Sequence, residues 1–174
     1  PLADWGFGIP GELVIDPFNG RQDLLKKVVR AVNSHVFWDD PGRLLRAVRL
    51  AAGLRFRIEP ETARQVLAEA SHISRVSNER VRDEFLAILA LDNAKGSLEV
   101  LDRLDLLCRV VPELDAAKGV GQSKIHYWDV WEHLMHSIES AERITKGHQH
   151  SPIYTLVYWT ANTDSYFSQQ VSDG

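Results

Sequence analysis

The stretch FWDDPGRLLRAVRLAAGLRFR, residues 37–57, decides how the chain folds and where its candidate site lies. Asp40 is typical of a helix N-cap, Pro41 suits the first helical position, and Gly53 is typical of a helix end. The apolar residues between them recur at helical spacing. The stretch therefore predicts a helix over about 41–52.

The same helix carries arginines at intervals of three residues. Asp40 and Arg43 project from neighbouring positions, one turn apart. A carboxylate accepts from an exocyclic amine and a guanidinium donates to a ring nitrogen or carbonyl oxygen, so the pair could read the Watson–Crick edge of a base. Arg46 and Arg49 would serve phosphates, although this spacing drifts around the helix and does not aim all three arginines at one ligand. A capped surface helix is the plainer interpretation, and it stays open.

The overall composition is that of a globular protein, with 174 residues, 44% hydrophobic and 25% charged. No apolar run approaches the roughly 18 residues that span a bilayer, and no secretory signal is visible. The single cysteine, Cys108, makes no intrachain disulfide and fits a reducing compartment, so we expect a cytoplasmic protein without membrane contact. A net charge of −4 argues against a generally basic nucleic-acid surface but not against a local one.

Helical periodicity dominates from residue 21, and the predicted fold class is mainly α, a helical array with a short β element at its start. We predict a strand at 11–15 and a first helix whose apolar stripe is Leu24, Leu25, Val28, Val29 and Val32. Later helices are predicted from Pro60 to about Ala70, after Ser77, from about Ala94 to Leu107, and over roughly 128–146, with a linker-like stretch at 111–126.

Three further clusters carry chemically active side chains. DPFNGRQDL (16–24) has turn composition, and SNERVRDEF (77–85) is a charged helix face of the kind that is usually solvated. The third is a group of histidines: His126, His133, His136, His148 and His150. Metal ligation by them is conceivable, but the chain offers no cysteine partners and no His-Asp dyad, which favours surface or partly buried histidines.

Taken in order, these pieces resemble one family. The succession DPFNGRQDL (16–24), DDPGRLLRAVRLAAGLRFRIEPET (39–62), RVSNERVRDEF (75–85) and HYWDVWEH (126–133) resembles the class II tRNA nucleotidyltransferases, which are the CCA-adding enzymes and their bacterial poly(A) polymerase relatives. Each motif alone is weak, whereas the ordered set is specific. Two departures are Asp39, where the family more usually has Glu, and Gly42, a flexible residue in the first helical turn.

The resemblance implies a nucleotide-binding role for four residues of the helical neck. Asp40 and Arg43 would pair with the base of CTP or ATP in place of a nucleic-acid template. Arg46 would lie near the triphosphate, and Arg80 would brace the pocket. By the same resemblance Asp16, Gly20 and Asp23 form a structural junction between head and neck, and His133 would be the first metal ligand of an appended HD-type domain.

The resemblance also implies a division of the chain. Residues 1–20 would be a remnant of the nucleotidyltransferase head, 21–92 the neck, 93–120 body helices, and 121–174 the start of a truncated HD-type domain. The head carboxylates that hold Mg²⁺ would precede Pro1, and the His-Asp dyad would follow Gly174. We therefore expect a fragment with no catalytic residue and none of the head carboxylates that hold Mg²⁺, inert by itself, from an enzyme whose partners are tRNA, CTP and ATP.

Two alternatives from other functional classes stay open. One is a stand-alone helical module that binds RNA or protein. The other, suggested by the histidines between His126 and His150, is an HD-type metal-dependent phosphohydrolase.

Overall fold

The structure, a computed structural model, describes residues 15–118 and 130–145. Within these ranges the chain is mainly helical, which confirms the predicted fold class. The α-helices are α1 Gly20–Lys26, α2 Val36–Asp39, α3 Arg43–Leu54, α4 Pro60–Glu69, α5 Asn78–Leu89, α6 Ala94–Arg103, α7 Leu107–Val110 and α8 Val130–Thr145. Two 3-10 helices, Ala70–Arg75 and Pro112–Ala117, and two short strands, β1 Val28–Val29 and β2 Arg57–Ile58, complete the described elements.

Helix α3 is the centre of the fold. Its buried residues Leu44, Leu45 and Val48 follow helical spacing and turn one face into the core, where α3 packs against α5 and α6. Ile88 of α5 and Leu101 of α6 are completely buried there. Each such side chain contributes about 1.5–3 kcal/mol on burial. The opposite face of α3 is therefore held firmly in place while it stays open to ligands.

The first helix is shorter than the sequence predicts. The prediction that one helical stripe runs through Val32 is wrong, because α1 ends at Lys26 and Lys27 adopts a left-handed conformation with φ 53°. Val28–Val29 then pair in parallel with Arg57–Ile58. β-Branched valines suit this extended pairing, which lies far away in the sequence and leaves no trace in local periodicity.

A buried hydroxyl fixes the strand segment to α4. Thr62 Oγ1 accepts a hydrogen bond of 2.9 Å from the backbone N–H of Ala31 and donates one of 2.9 Å to Glu59 Oε2. Only 1% of Thr62 is exposed, so both bonds satisfy groups that would otherwise be buried without partners.

Both predicted ends of α3 are shifted. Asp40 and Pro41 form a turn before the helix, which begins at Arg43. Gly53 does not end the helix. Leu54 is the last residue of α3, and the C-cap residue Arg55 is left-handed with φ 55°. The N–H of Arg55 donates to the Ala52 carbonyl at 3.2 Å. Helices that end at a glycine satisfy their last carbonyls in the same way.

The other boundaries follow the sequence more closely. Pro60 is the first residue of α4 and Ser77 precedes α5, as predicted. Helix α6 ends at Arg103 rather than near Leu107, because Asp105 takes a left-handed conformation with φ 56° before α7 starts. Helix α8 lies within the predicted range, whereas the predicted strand at 11–15 falls outside the described residues apart from Ile15. No helix in the described ranges combines the length and apolar character that a membrane crossing needs.

Candidate functional site

The candidate site is built on the turn between α2 and α3. The backbone N–H of Arg43 bonds the Asp40 carbonyl at 3.1 Å, and the N–H of Gly42 bonds Asp40 Oδ1 at 3.2 Å. Pro41 presets the first dihedral of this turn. The carboxylate of Asp40 is thereby fixed at the N-terminus of α3, with 32% of the side chain exposed.

Two guanidinium groups converge on that carboxylate. Arg80, in the first turn of α5, donates from Nη2 to Asp40 Oδ1 at 3.1 Å and to Oδ2 at 3.3 Å. Arg43 Nε lies 3.6 Å from Asp40 Oδ2. The arginine side chains are 60% and 48% exposed, and ion pairs so exposed contribute only about 0–1 kcal/mol to stability. Stability alone is a weak reason to assemble these three charges here.

Gly42 belongs to the site although sequence reasoning assigned it no role. A Cβ at this position would lie 2.7 Å from Arg80 Nη2 and 3.2 Å from Arg80 Cζ. Its φ of −59° is open to any residue, so the missing side chain matters here and the backbone conformation does not. Glycine directly before a helix is common, so the sequence carried no signal of this close approach.

The fourth predicted residue, Arg46, lies one turn further along α3 and is exposed. It lines a cleft of about 170 Å³ together with Arg30 and Arg43. Arg30, which the sequence did not single out, is held by Asp23 at 2.8 Å, and this bond raises the pKa of its guanidinium. Complete small-molecule sites usually reach about 300–1,000 Å³, so this cleft is sized for part of a nucleotide, such as a sugar or phosphate.

Arg49 is separated from the other arginines of α3. It donates to Glu84 from Nε at 2.7 Å and from Nη2 at 3.2 Å, and these bonds raise the pKa of the guanidinium. Each step of three residues turns a helix by about 60°, so Arg49 points roughly 120° away from Arg43. Arg49 braces α3 against α5 instead of facing the ligand side.

The Asp-Pro turn before α1 makes different contacts. Asp16 accepts from the backbone N–H groups of Gly20 at 2.7 Å and Arg21 at 3.0 Å. These two backbone hydrogen bonds lower the pKa of the carboxyl. Its oxygens are committed to the N-terminus of α1, in keeping with the structural part that the resemblance implies.

A larger hollow lies away from the predicted residues. It measures about 1110 Å³, is open to solvent, and is lined by the C-terminal end of α3, β2, residues 90–93 and one side of α6. Asp40, Arg43, Arg46 and Arg80 are all absent from its lining. Cavity size therefore does not locate the site that the charged groups define.

Helix α8 carries the described part of the histidine cluster. His136 Nδ1 lies 3.6 Å from Glu139 Oε2, and His133 lies one turn earlier on the helix. Across residues 15–118 and 130–145, no group of three or more His, Cys, Asp or Glu side chains is arranged to hold a metal ion. His126, His148 and His150 lie outside the described residues, so the HD-type interpretation stays a prediction.

Comparison with known proteins shows which family the chain belongs to. Residues 55–118 match the family described as "Probable RNA and SrmB-binding site of polymerase A". The A-adding tRNA nucleotidyltransferase of Deinococcus radiodurans is 38% identical over 71% of this chain and 30% of its own length. The multifunctional CCA protein of Actinobacillus pleuropneumoniae serotype 5b is 33% identical over 85% of this chain and 37% of its own. The chain thus spans about a third of the length of these curated relatives.

The fold agrees with the sequence matches. A solved complex of a CCA-adding enzyme with CTP superposes with a TM-score of 0.62 at 25% identity, covering 80% of this chain and 32% of that one. The chain belongs to the class II tRNA nucleotidyltransferase family.

Proposed function

We propose that this chain selects the incoming nucleotide for a tRNA nucleotidyltransferase that adds C, A or both to tRNA 3′ ends. The observation that carries the proposal is the convergence of Arg43 and Arg80 on the half-exposed carboxylate of Asp40, in a chain of this family. The names of the relatives supply the reaction class, since one is an A-adding enzyme and a structural neighbour was solved with CTP.

The base would be read by the order of donor and acceptor groups on its Watson–Crick edge. Cytosine and adenine each present an amino group beside an unprotonated ring nitrogen. Asp40 can accept from that amino group while Arg43 donates to the ring nitrogen. Uracil and guanine present a carbonyl oxygen beside a ring N–H. The carbonyl oxygen of either base would face the carboxylate of Asp40, and the ring N–H would face the guanidinium of Arg43, so both contacts would be repulsive. One pair of side chains would therefore accept C and A and reject U and G.

Arg80 would keep the carboxylate of Asp40 in its reading orientation. A carboxylate offers about four lone-pair positions, and the contacts to Gly42 and Arg80 use three of them. The remaining position, on Oδ2 beside Arg43 Nε, would accept from the base. The contact between Arg80 and Asp40 depends on Gly42, which leaves room for the guanidinium of Arg80.

Arg46 would contribute to binding of the triphosphate. It is exposed beside the cleft that Arg30 and Arg43 also line, and guanidinium groups bind phosphate through charge-assisted hydrogen bonds. These contacts ignore the identity of the base, so Arg46 would add affinity for every nucleoside triphosphate without discriminating among them.

Addition to tRNA would proceed by attack of the terminal 3′-hydroxyl oxygen on the α-phosphorus, with loss of a proton from the hydroxyl and departure of pyrophosphate. Mg²⁺ supports such reactions, but the described side chains do not fit a magnesium site, since they form no cluster of three or more potential ligands. The residues described here would therefore bind and orient the nucleotide. The division into head remnant, neck, body and HD-type segment is part of the same proposal.

The body helices would hold tRNA by shape and backbone charge. Residues 55–118, which match a family described as RNA-binding, include β2, α4 to α7 and both described 3-10 helices. RNA helices offer shape, 2′-hydroxyls and phosphates to a protein, and little sequence information, so selectivity for tRNA would come from its form.

The test is direct binding of CTP, ATP, UTP and GTP to the purified chain by isothermal titration calorimetry. We expect CTP or ATP to bind at least about tenfold more tightly than UTP and GTP, as bidentate base reading is worth about 1–3 kcal/mol. The double variant Asp40→Ala/Arg43→Ala should lose this preference, while Arg46→Ala should weaken all four ligands alike. Equal binding of all four by the wild type, or selectivity retained in the double variant, would sink the assignment.

A further inference from the structure

An exposed tryptophan lies on α2, directly before the candidate site. Val36 and Phe37 of this short helix are buried, whereas Trp38 is 53% exposed in the described part of the chain. Single exposed apolar residues are common on proteins and need no function by themselves. The contacts around this ring are what set it apart.

Two side chains from the 3-10 helix Ala70–Arg75 hold the ring. Arg75 places its guanidinium carbon 5.0 Å from the ring centroid of Trp38, within the range of a cation–π contact. His72 meets the ring edge to face, with centroids 4.7 Å apart and an interplanar angle of 83°. Both contacts favour this orientation of the indole, and a pre-oriented ring loses less entropy when a ligand binds.

The imidazole is itself anchored. His72 Nδ1 lies 2.5 Å from Glu69 Oε2 without the angles of a hydrogen bond, and both side chains are mostly buried. Its position under the tryptophan is therefore set by α4 and by the 3-10 helix. We call the group of Trp38, His72 and Arg75 the Trp38 platform.

Position links the Trp38 platform to the candidate site. Trp38 precedes Asp40 by two residues, so their Cα atoms are at most about 7.6 Å apart. A base that stacked on the ring and a nucleotide that contacts Asp40 would therefore bind to the same short segment of chain. Arg75 is exposed at the same place and can meet a phosphate of the same strand.

We infer that the Trp38 platform binds an unpaired base at the 3′ end of the acceptor RNA by stacking on the part of the indole that Arg75 and His72 leave exposed. A flat aromatic ring with an adjacent arginine matches a base and its phosphate, and unpaired bases are the part of an RNA that can stack on a protein. The inference rests on the proposed function, because transfer to a 3′ end requires that end to lie next to the incoming nucleotide. It adds a site that holds the RNA end, separate from the residues that read the nucleotide.

The test compares two RNA hairpins with the same duplex, one with unpaired 3′ nucleotides and one blunt. Binding of each to the full chain is measured by fluorescence anisotropy without nucleoside triphosphate. The wild type should prefer the hairpin with the overhang, and Trp38→Ala should weaken its binding by at least about fivefold, the low end of base–aromatic stacking. Trp38→Phe should keep most of the affinity, because it keeps a ring.

A matched control separates stacking from loss of apolar surface. Leu24 on α1, outside the proposed RNA-binding residues, is also exposed, at 55%, and Leu24→Ala should leave both hairpins unaffected. Circular dichroism and thermal melting of each variant report whether the fold is kept. CTP affinity of Trp38→Ala should equal that of the wild type, since Trp38 is not among the proposed nucleotide contacts.

Several outcomes overturn the inference. Unchanged binding of the overhang by Trp38→Ala would do so, while normal CTP selectivity in the same protein would leave the proposed function intact. An equal loss for the blunt hairpin would assign the ring to duplex RNA, and no RNA binding by the wild type would reject the platform together with the tRNA assignment. A wild type without nucleotide selectivity, but with a Trp38-dependent overhang preference, would reject the proposed base reading and keep the platform.

Discussion

The two Asp-Pro turns of this chain begin alike and end differently. At the first, Asp16 gives both carboxylate oxygens to backbone N–H groups of α1. At the second, Asp40 accepts one backbone N–H, from Gly42, and turns the rest of its carboxylate toward Arg43 and Arg80. The same dipeptide thus builds a helix cap in one place and an exposed, charged cluster in the other.

The difference comes from what the fold brings to each turn. Arg80 reaches Asp40 from 40 residues away, because α5 packs along α3 and places its first turn beside the start of that helix. At the first turn the described partners of Asp16 are its own neighbours in sequence. A carboxylate whose bonds are all local acts on the local fold, whereas one with distant cationic partners and an open side can meet a ligand.

A glycine follows each turn, and replacing each of them by alanine tests the difference between the two turns most strongly. In Gly42→Ala the new methyl group would displace the Arg80 guanidinium, so the preference for CTP over UTP should fall about threefold, the worth of an exposed ion pair. The fold should persist, because the displaced group is the end of a flexible side chain. Titration calorimetry with CTP and UTP measures the first effect and thermal melting the second.

The control is Gly20→Ala at the other turn. There the methyl group would lie 3.5 Å from Asp16 Oδ1, an ordinary contact, so both nucleotide preference and melting temperature should stay close to those of the wild type. A drop in CTP preference in Gly20→Ala, or none in Gly42→Ala, would erase the distinction between the two turns.

A smaller effect is expected from the cap itself. The pKa of Asp16 is lowered from 3.8 by the backbone N–H groups of Arg21 and Gly20, so the carboxylate stabilises the folded chain above that pH. The contribution is lost as the pH falls through the lowered pKa, where the group becomes protonated. Asp16→Ala should therefore melt slightly below the wild type at pH 7, and the gap should close as the pH falls below 3.8 and through the lowered pKa.

The same variant should bind CTP like the wild type, since Asp16 has no part in the proposed base reading. Urea unfolding at several pH values would check the stability gap between Asp16→Ala and the wild type. Titration calorimetry would check the CTP affinity. A gap that stays constant down to pH 2 would show that Asp16 acts by packing instead of by charge.

Local sequence signals located what depends on local structure. Pro60, Ser77 and the apolar spacing of residues 44–51 correctly placed α4, α5 and α3 to within a few positions. The strand pairing of Val28 with Arg57 was missed, because its energy comes from a partner distant in sequence.

Local sequence signals predicted only part of the candidate site. Asp40 and Arg43 are one turn apart, and helical geometry alone predicts that they are neighbours. Arg80 entered through family resemblance, since nothing in its own helix points to Asp40. Gly42 was noted as a flexible residue, but its real part, making room for a guanidinium, depends on where α5 lies in space.

The central claim is that Asp40 chooses the base by accepting a hydrogen bond. Asp40→Asn keeps the shape and adds an N–H₂ donor, which can face the carbonyl oxygen of uracil. The ratio of the UTP and CTP dissociation constants, measured on the wild type and on this variant, tests the claim most directly. We predict a ratio of about ten or more for the wild type and a clearly lower ratio for Asp40→Asn, in which Arg43 alone still opposes the ring N–H of uracil. An unchanged ratio would show that the carboxylate does not read the base.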